Sequence, residues 1–93
     1  MDKLVCVQTT VDSQEAADRL AELIISHKLG ACVQIWPIVS HYRWEGQVQR
    51  SGEFLVQIKS QKQLQERLFS FIRDHHPYDV AQIIQLSVDH SDP

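Results

Sequence analysis

The chain has 93 residues, which is enough for one small domain spanning residues 1–93. Its formal net charge of −3 argues against nucleic-acid binding, because phosphates demand a basic protein face. No apolar run approaches the roughly 18 residues that span a membrane, and no secretory signal is visible, so we expect a cytoplasmic protein. Cys6 and Cys32 lie in apolar sequence and are predicted to be buried free thiols rather than a disulfide.

The first third of the chain predicts a strand followed by a helix. The apolar run in residues 3–10 is typical of a buried strand. Asp12 precedes Glu15 by three positions, which is an acidic variant of the capping box that opens a helix. Gly30 supplies the expected C-terminal stop. The helical face between these signals carries apolar residues at Ala16, Leu20, Leu23 and Ile24.

The middle of the chain predicts a long hairpin. In residues 31–44 the apolar side chains follow one parity up to Ile35 and the other from Ile38. A change of phase at Pro37 predicts a bulge or bend in a strand at the sheet edge. Glu45-Gly46 is expected to form a tight turn, because glycine takes positive φ readily. The returning strand is predicted over residues 47–59, either continuous or interrupted near residues 51–52.

The last third predicts a second helix and a final strand. Ser60 and Gln63 have the spacing of another capping box. The helix should end near His75 and His76, because Pro77 disfavours helical geometry in the residue before it. An alternating run in residues 80–88 predicts the last strand. The order is β-α-β-β-α-β, so we predict an α+β, ferredoxin-like fold with the first and third strands in the middle of an antiparallel sheet and both helices on one face.

The predicted hairpin is too long for a domain of this size. A strand of about fourteen residues at roughly 3.3 Å each spans about 45 Å, whereas a compact domain of this length is roughly 30 Å across. The hairpin should therefore bend sharply or project. A projecting hairpin that carries Tyr42 and Trp44 requires a partner subunit.

Several functions of this fold are disfavoured by the residues present. An RNA-binding domain of the RRM type needs base-stacking aromatics on the first and third strands, and the first strand has none. An acylphosphatase needs an Asn on the third strand, and the chain contains no Asn. No catalytic triad or phosphate loop is recognisable from spacing, so we expect a protein that is not an enzyme.

Two weaker site signals remain open. His75 and His76 are interpreted in one of two ways. They are solvated or helix-capping cations, or one of the two imidazoles binds copper or zinc together with a thiol such as that of Cys32. Lys59 and Arg43 read either as solvated edge charges or as ligands of an anion.

The joint pattern of short motifs closely resembles the CutA family of divalent-cation tolerance proteins. The resemblance covers nearly the whole chain and is carried by "LGACV" at 29–33, Pro37, Ser40-x-Tyr42-x-Trp44-x-Gly46, Ile58-Lys59 and His76-Pro77-Tyr78. It implies a tight homotrimer in which the long hairpins pair strand to strand, and a protein that binds divalent metal ions, copper or another divalent cation, without being an enzyme.

The resemblance also assigns site residues. It implies Cys32 and His76 as metal ligands, and an inter-subunit cleft formed by Tyr42, Trp44, Lys59, His76 and Tyr78. Because the trimer resembles that of nitrogen-regulatory signalling proteins, the alternative is a small-molecule or anion sensor that uses Lys59 and Arg43 at this cleft.

The chain departs from the family pattern at three places. Gln8 stands where some members carry a Cys. Ala81-Gln82 replaces the usual Pro-Glu pair, which removes a carboxylate from the cleft. The usual C-terminal helix is expected to be absent from the domain.

Overall fold

Two helices pack on one face of a four-stranded antiparallel sheet in the computed structural model, which describes residues 3–92. The sheet order is β2-β3-β1-β4, so the first and third strands are central, and the predicted ferredoxin-like fold is confirmed. The elements are β1 (Leu4–Val11), α1 (Gln14–Ser26), β2 (Cys32–Trp44), β3 (Gln47–Gln61), a 3-10 turn (Lys62–Leu64), α2 (Gln65–His75) and β4 (Ile83–Ser87).

The core lies between the helices and the inward side chains of the two central strands. Burial alternates along β1, because successive side chains of a strand point to opposite faces. Full burial of one aliphatic side chain contributes roughly 1.5–3 kcal/mol, so this single layer dominates the stability of the domain. The layer is formed by Val5, Val7, Val11, Val56 and Ile58 of the sheet and by Ala17, Leu20, Ile24, Leu68 and Ile72 of the helices.

Both ends of α1 differ from the prediction. The N-cap is Ser13, whose Oγ accepts a hydrogen bond from the Ala16 amide at 3.1 Å, so the assignment of Asp12 as the cap was wrong by one residue. After the helix, the left-handed residue is Lys28 with φ of 60°, not Gly30. Gly30 is needed for close packing instead, since a Cβ there would lie 2.6 Å from Cγ2 of Ile58.

The start of α2 also differs, while its end was predicted correctly. Ser60 belongs to β3, is 2% exposed, and donates its hydroxyl to the Leu29 carbonyl at 2.7 Å. It therefore ties β3 to the end of α1 and does not cap α2, so the second predicted capping box was wrong. The helix begins after the 3-10 turn and ends at His75, just before Pro77.

The hairpin has the predicted length and is more regular than expected, and β3 continues two residues beyond it to Gln61. Its register is unbroken from Cys32 opposite Lys59 to Trp44 opposite Gln47, so neither a bulge at Pro37 nor an interruption near residues 51–52 forms. Positive φ at Glu45 (51°) and Gly46 (76°) matches a two-residue type I′ turn. The change of phase at Pro37 has another cause: β2 faces the helices as far as Ile35 and then leaves them.

The far half of the hairpin projects from the domain. The pairing of β1 with β3 stops at Val11 opposite Phe54, so residues 38–53 form a two-stranded ribbon. Residues 41–50 are all exposed. The longest dimension is 46 Å against 26 and 21 Å for the others, and the radius of gyration is 13.9 Å, compared with about 12 Å for a compact chain of this length. The predicted projection is confirmed.

Neither helix of residues 3–92 combines the length and the apolar character needed to cross a membrane.

Candidate functional site at the base of the hairpin

A cavity of about 840 Å³ lies where the ribbon leaves the body of the sheet. Three parts of the chain meet there: the end of β1, the ribbon, and the segment between α2 and β4. Its size is within the range of ordinary small-molecule sites. The lining residues are Thr10, Asp12, Ile38, Ser40, His41, Tyr42, Trp44, Ser51, Gly52, Glu53, Leu55, Tyr78, Val80 and Gln82.

Tyr78 connects the α2–β4 segment to the ribbon. Its hydroxyl donates a hydrogen bond to Oε2 of Glu53 at 2.8 Å. Burial, and then the hydrogen bond to Glu53 and the charge of that carboxylate, raise the pKa of Tyr78 well above its usual range. The phenol therefore stays protonated, and it holds the Glu53 carboxylate at the wall of the cavity.

His76 stands directly behind this wall, with its ring centroid 4.9 Å from that of Tyr78. Nδ1 accepts a hydrogen bond from the Tyr78 amide at 3.1 Å. The Thr9 hydroxyl donates its one proton to the Gln82 carbonyl at 2.7 Å, so across the 3.0 Å contact it accepts from Nε2–H of His76. Both ring nitrogens are occupied, and the imidazole is the neutral Nε2–H tautomer.

The environment of His76 favours this neutral form. Burial lowers the pKa of His76 from its ordinary value, against smaller raising effects from the Thr10 backbone and from the carboxylates of Asp12 and Glu53. Partial removal from water disfavours the charged form of an imidazole that has no paired carboxylate. His76 therefore acts in the single chain as a clamp between β1 and the α2–β4 segment.

The charged groups of the cavity are of one sign. Asp12 and Glu53 line it, and both act electrostatically on His76. None of the described lining residues is Lys or Arg. Arg43 lies opposite Val48, on the face of the ribbon that Tyr42 and Trp44 do not share, because neighbouring residues of a strand alternate in direction.

Lys59 and the two cysteines occupy a separate place. Lys59 is opposite Cys32 on one side and opposite Cys6 on the other, so the three side chains form a row on the open face of the sheet. Both cysteines are free, which confirms the prediction of thiols. Their predicted burial was wrong for the single chain, since Cys6 is half-buried and Cys32 is exposed.

The structure brings together some of the predicted site residues and separates others. Tyr42, Trp44 and Tyr78 line one cavity, with His76 behind it. Cys32 is on the open face of the sheet, whereas Thr9, the partner of His76, is fully buried on the helix face, so one chain does not bring Cys32 and His76 to a common point. Among residues 3–92, no group of three or more His, Cys, Asp or Glu side chains is placed to hold a metal ion.

Sequence reasoning missed the two carboxylates. Asp12 was interpreted as a helix cap, and no role in a site was assigned to Glu53. The position of Glu53 could have been inferred from the turn. A two-residue turn at Glu45-Gly46 fixes a register in which Glu53 lies opposite Ile38. Ile38 is the residue of the ribbon nearest the body of the sheet. The α2–β4 segment has no comparable pattern.

An α+β sandwich of the ferredoxin-like type, with an overlong projecting hairpin and a cavity at its base, defines the class of this protein. A sequence model described as CutA1 divalent ion tolerance protein matches residues 5–93. The chain belongs to the CutA1 family.

Individual relatives agree with this assignment. The chain is 45% identical over 85 residues to Protein CutA 1, chloroplastic, of Oryza sativa subsp. japonica, covering 90% of this chain and 48% of the relative. It is 33% identical over 89 residues to the divalent-cation tolerance protein CutA of Yersinia pestis, covering 95% of this chain and 75% of the relative. The chain thus spans about half the length of the plant and animal relatives it matches.

Solved structures match the fold closely. The crystal structure of CutA1 from Oryza sativa superimposes with a TM-score of 0.94 at 41% identity, covering 98% of this chain and 84% of that one. The divalent ion tolerance protein CutA1 of Ehrlichia chaffeensis gives 0.95 at 28% identity, covering 99% of this chain and 87% of that one. The family is described by tolerance of divalent ions rather than by a reaction.

Proposed function

We propose that this chain is the subunit of a homotrimeric, non-catalytic protein that binds divalent metal ions, copper in particular, and supports tolerance of them. Membership of the divalent ion tolerance family supports the ligand class. The observation that carries the proposal is the ribbon of residues 38–53, whose exposed apolar side chains and open strand edge support contact with other copies.

The ribbon has few stabilising contacts within its own chain. An isolated two-stranded hairpin is at best marginally stable in water. The outer edge of β2 is unpaired in the described chain, and large apolar side chains are exposed along the ribbon, with Tyr42 at 46%, Trp44 at 62% and Val48 at 73%. Pairing with the ribbons of identical copies would satisfy the edge and cover these groups.

The metal ligands are proposed to be Cys32 and His76. Cys32 presents a thiol, a ligand that suits copper and zinc, on the open face of the sheet. Since Cys32 and His76 do not converge in one chain, a joint site requires ligands from different copies. His76 must also release the Thr9 hydroxyl or the Tyr78 amide to expose a ring nitrogen, so Cys32 is the ligand whose loss should matter more.

Calorimetric titration with copper and with zinc, under reducing conditions, tests the metal proposal. Cys32→Ala should weaken binding by at least about tenfold, which corresponds to roughly 1.4 kcal/mol. Cys6→Ala is the matched control, because it removes the other thiol of the same row. His76→Ala should weaken binding less than Cys32→Ala. Equal binding by the wild type, Cys32→Ala and His76→Ala would refute the proposed ligands.

The alternative function is a trimeric small-molecule sensor that resembles nitrogen-regulatory signalling proteins. The cavity at the base of the hairpin favours a small ligand, since its volume and mixed lining are those of a ligand site. The positions of Lys59 and Arg43 outside the lining do not favour an anion in this cavity.

A further inference from the structure

We propose that oxidation of Cys32 by hydrogen peroxide closes a reversible covalent bond between its sulfur and Nζ of Lys59, and that this crosslink switches off copper binding. The crosslink itself follows from the register of the sheet. Its consequence for copper rests on the function proposed above.

The register places an amine, and not a second thiol, beside Cys32. Lys59 is directly opposite Cys32 on the neighbouring strand. Residues directly opposite each other in an antiparallel pair have Cβ atoms about 4.5–5.5 Å apart on the same face of the sheet. The lysine side chain has a flexible four-carbon stem, so its terminal nitrogen reaches the sulfur of Cys32 across this spacing.

The other thiol of the row is too distant for a disulfide within one chain. Cys6 lies on the far side of β3, where it is also opposite Lys59. Because neighbouring strands are about 4.8 Å apart, Cys6 and Cys32 are separated by about 9–10 Å. A disulfide requires Cα atoms within about 7 Å of each other. Oxidation of Cys32 therefore does not end in an intrachain disulfide.

The other neighbours of Cys32 on the open face are glutamines. Side chains two positions apart on a strand share a face, which places Gln34 of β2 and Gln57 and Gln61 of β3 around the pair. A carboxamide nitrogen is a far poorer nucleophile than an amine. The amine of Lys59 is therefore the group that an oxidised Cys32 meets in its own chain.

Exposure favours Cys32 over Cys6 as the thiol that is oxidised. Cys32 is exposed and Cys6 is half-buried, and susceptibility of a thiol to oxidation follows its exposure. The pair lies at the first rung of the hairpin, outside the ribbon of residues 38–53, so its geometry does not depend on the contacts proposed for the ribbon. The proposed copper function already requires an ion to reach this thiol, and the same access serves hydrogen peroxide.

The reaction consumes one hydrogen peroxide and proceeds in two steps. The thiol of Cys32 first attacks the O–O bond, which gives a sulfenic acid and one water. The Lys59 ammonium then releases a proton to water, and its nitrogen attacks the sulfur. The S–O bond breaks, and hydroxide leaves with a second proton of the nitrogen as water. Sulfur has lost two electrons to the peroxide, and the product is a sulfenamide, an S–N bond that a thiol reductant cleaves back to thiol and amine.

Mass spectrometry of the intact protein treated with hydrogen peroxide tests the crosslink. We expect the chain to become lighter by two hydrogen atoms, to resist tryptic cleavage after Lys59, and to regain its mass with dithiothreitol. In the digest, Cys32 and Lys59 should be joined. Oxygen atoms gained at Cys32 while Lys59 stays free, a bond from Lys59 to Cys6, or a disulfide between copies would each overturn the proposal.

Substitution of Lys59 isolates the role of its amine. Lys59→Arg keeps the positive charge but removes the amine, so we expect no crosslink and further oxidation of Cys32 to a sulfinic acid, which dithiothreitol does not reverse. The matched control is Lys62→Arg, the same change in the 3-10 turn at a lysine that opposes no cysteine. Lys62→Arg and Cys6→Ala should both retain the crosslink, and its loss in either would overturn the assignment. If Lys59→Arg does not fold, Lys59→Gln decides the question.

Copper titration of the same samples, after removal of peroxide and reductant, separates the crosslink from the metal function. The crosslinked wild type should bind copper at least about tenfold more weakly than the reduced protein, and prior treatment with dithiothreitol should restore binding. Equal affinity in the two forms would overturn the switch. A crosslink that forms in a protein that binds no copper would overturn the metal proposal alone. Copper binding that depends on Cys32 without any crosslink would overturn the crosslink alone.

Discussion

His76 contributes to stability in its neutral form, because each ring nitrogen has a partner that fixes its role. The Tyr78 amide can only donate to Nδ1, so protonation there would place two donors face to face. Burial lowers the pKa of His76 in the folded chain below 6.5. The unfolded chain therefore binds the proton more tightly than the folded one.

The consequence is a loss of stability on mild acidification. The contribution of His76 is complete above about pH 6.5 and is lost as the pH falls from there to the lower pKa of the folded state. We expect His76→Gln, whose amide offers a donor and an acceptor without titrating, to reduce the difference in urea midpoint between about pH 7.5 and about pH 5. His75→Gln, at the exposed neighbour, should leave that difference unchanged. The same reduction in both variants would contradict the assignment.

Gly30 and Lys28 should respond to substitution in opposite directions. Gly30→Ala forces a methyl group against Ile58 at 2.6 Å, and overpacking of this kind costs about 1–3 kcal/mol. Lys28→Gly relieves a side chain from left-handed geometry at φ of 60° and should stabilise by about 0.5–1 kcal/mol. Urea denaturation of the two variants measures both effects. Stabilisation by Gly30→Ala would show that the site has room for a methyl group, and the assigned close-packing role of Gly30 would be wrong.

At the scale of single elements, the turn of the hairpin offers a clear gain in stability. Glu45 adopts φ of 51°, a conformation that Asn accepts far more readily than Glu. Glu45→Asn should therefore raise the free energy of unfolding by about 0.5–1 kcal/mol. Glu45→Gln removes the same charge without the conformational preference and should have little effect. Equal stabilisation by Gln would assign the effect to charge.

Periodicity predicted every helix and strand in the correct order because alternation and helical spacing are set by the core face of each element. End signals were less reliable. Asp12 and Ser13 are adjacent and both suit an N-cap, so only the path of the chain decides between them. Ser60 was misassigned because its hydroxyl bonds to Leu29, which is 31 residues away in sequence, and a local motif contains no information about such a partner.

The candidate site was predicted in part for the same reason. The aromatic residues Tyr42, Trp44 and Tyr78 were found through a resemblance of motifs, and the structure places all three around one cavity. The role of Glu53 depends on a hydrogen bond across 25 residues to Tyr78. That contact follows from how the α2–β4 segment folds back on the ribbon, and the segment carries no periodic pattern.

At the scale of the whole molecule, the shape of the chain leads us to expect that the proposed contacts with other copies contribute part of its stability. A domain 46 Å long with a ribbon exposed on both faces buries little of that ribbon by itself. If the proposed trimer covers the ribbon, folding is linked to association, and the melting temperature must rise with protein concentration.

Truncation of the Trp44 side chain tests whether this residue lies at an interface between copies or on the free surface. The ring is 62% exposed in the single chain, and removal of an exposed side chain usually changes stability by less than about 0.5 kcal/mol. In the trimer the same ring would be buried, and Trp44→Ala should then cost about 3–5 kcal/mol per site. It should also shift the sedimentation mass from three chains towards one at low concentration. Ile25→Ala, which removes an exposed apolar side chain of α1, is the control and should leave both the mass and the melting temperature unchanged. A Trp44→Ala protein that melts and sediments like the wild type would show that the ribbon does not hold the copies together.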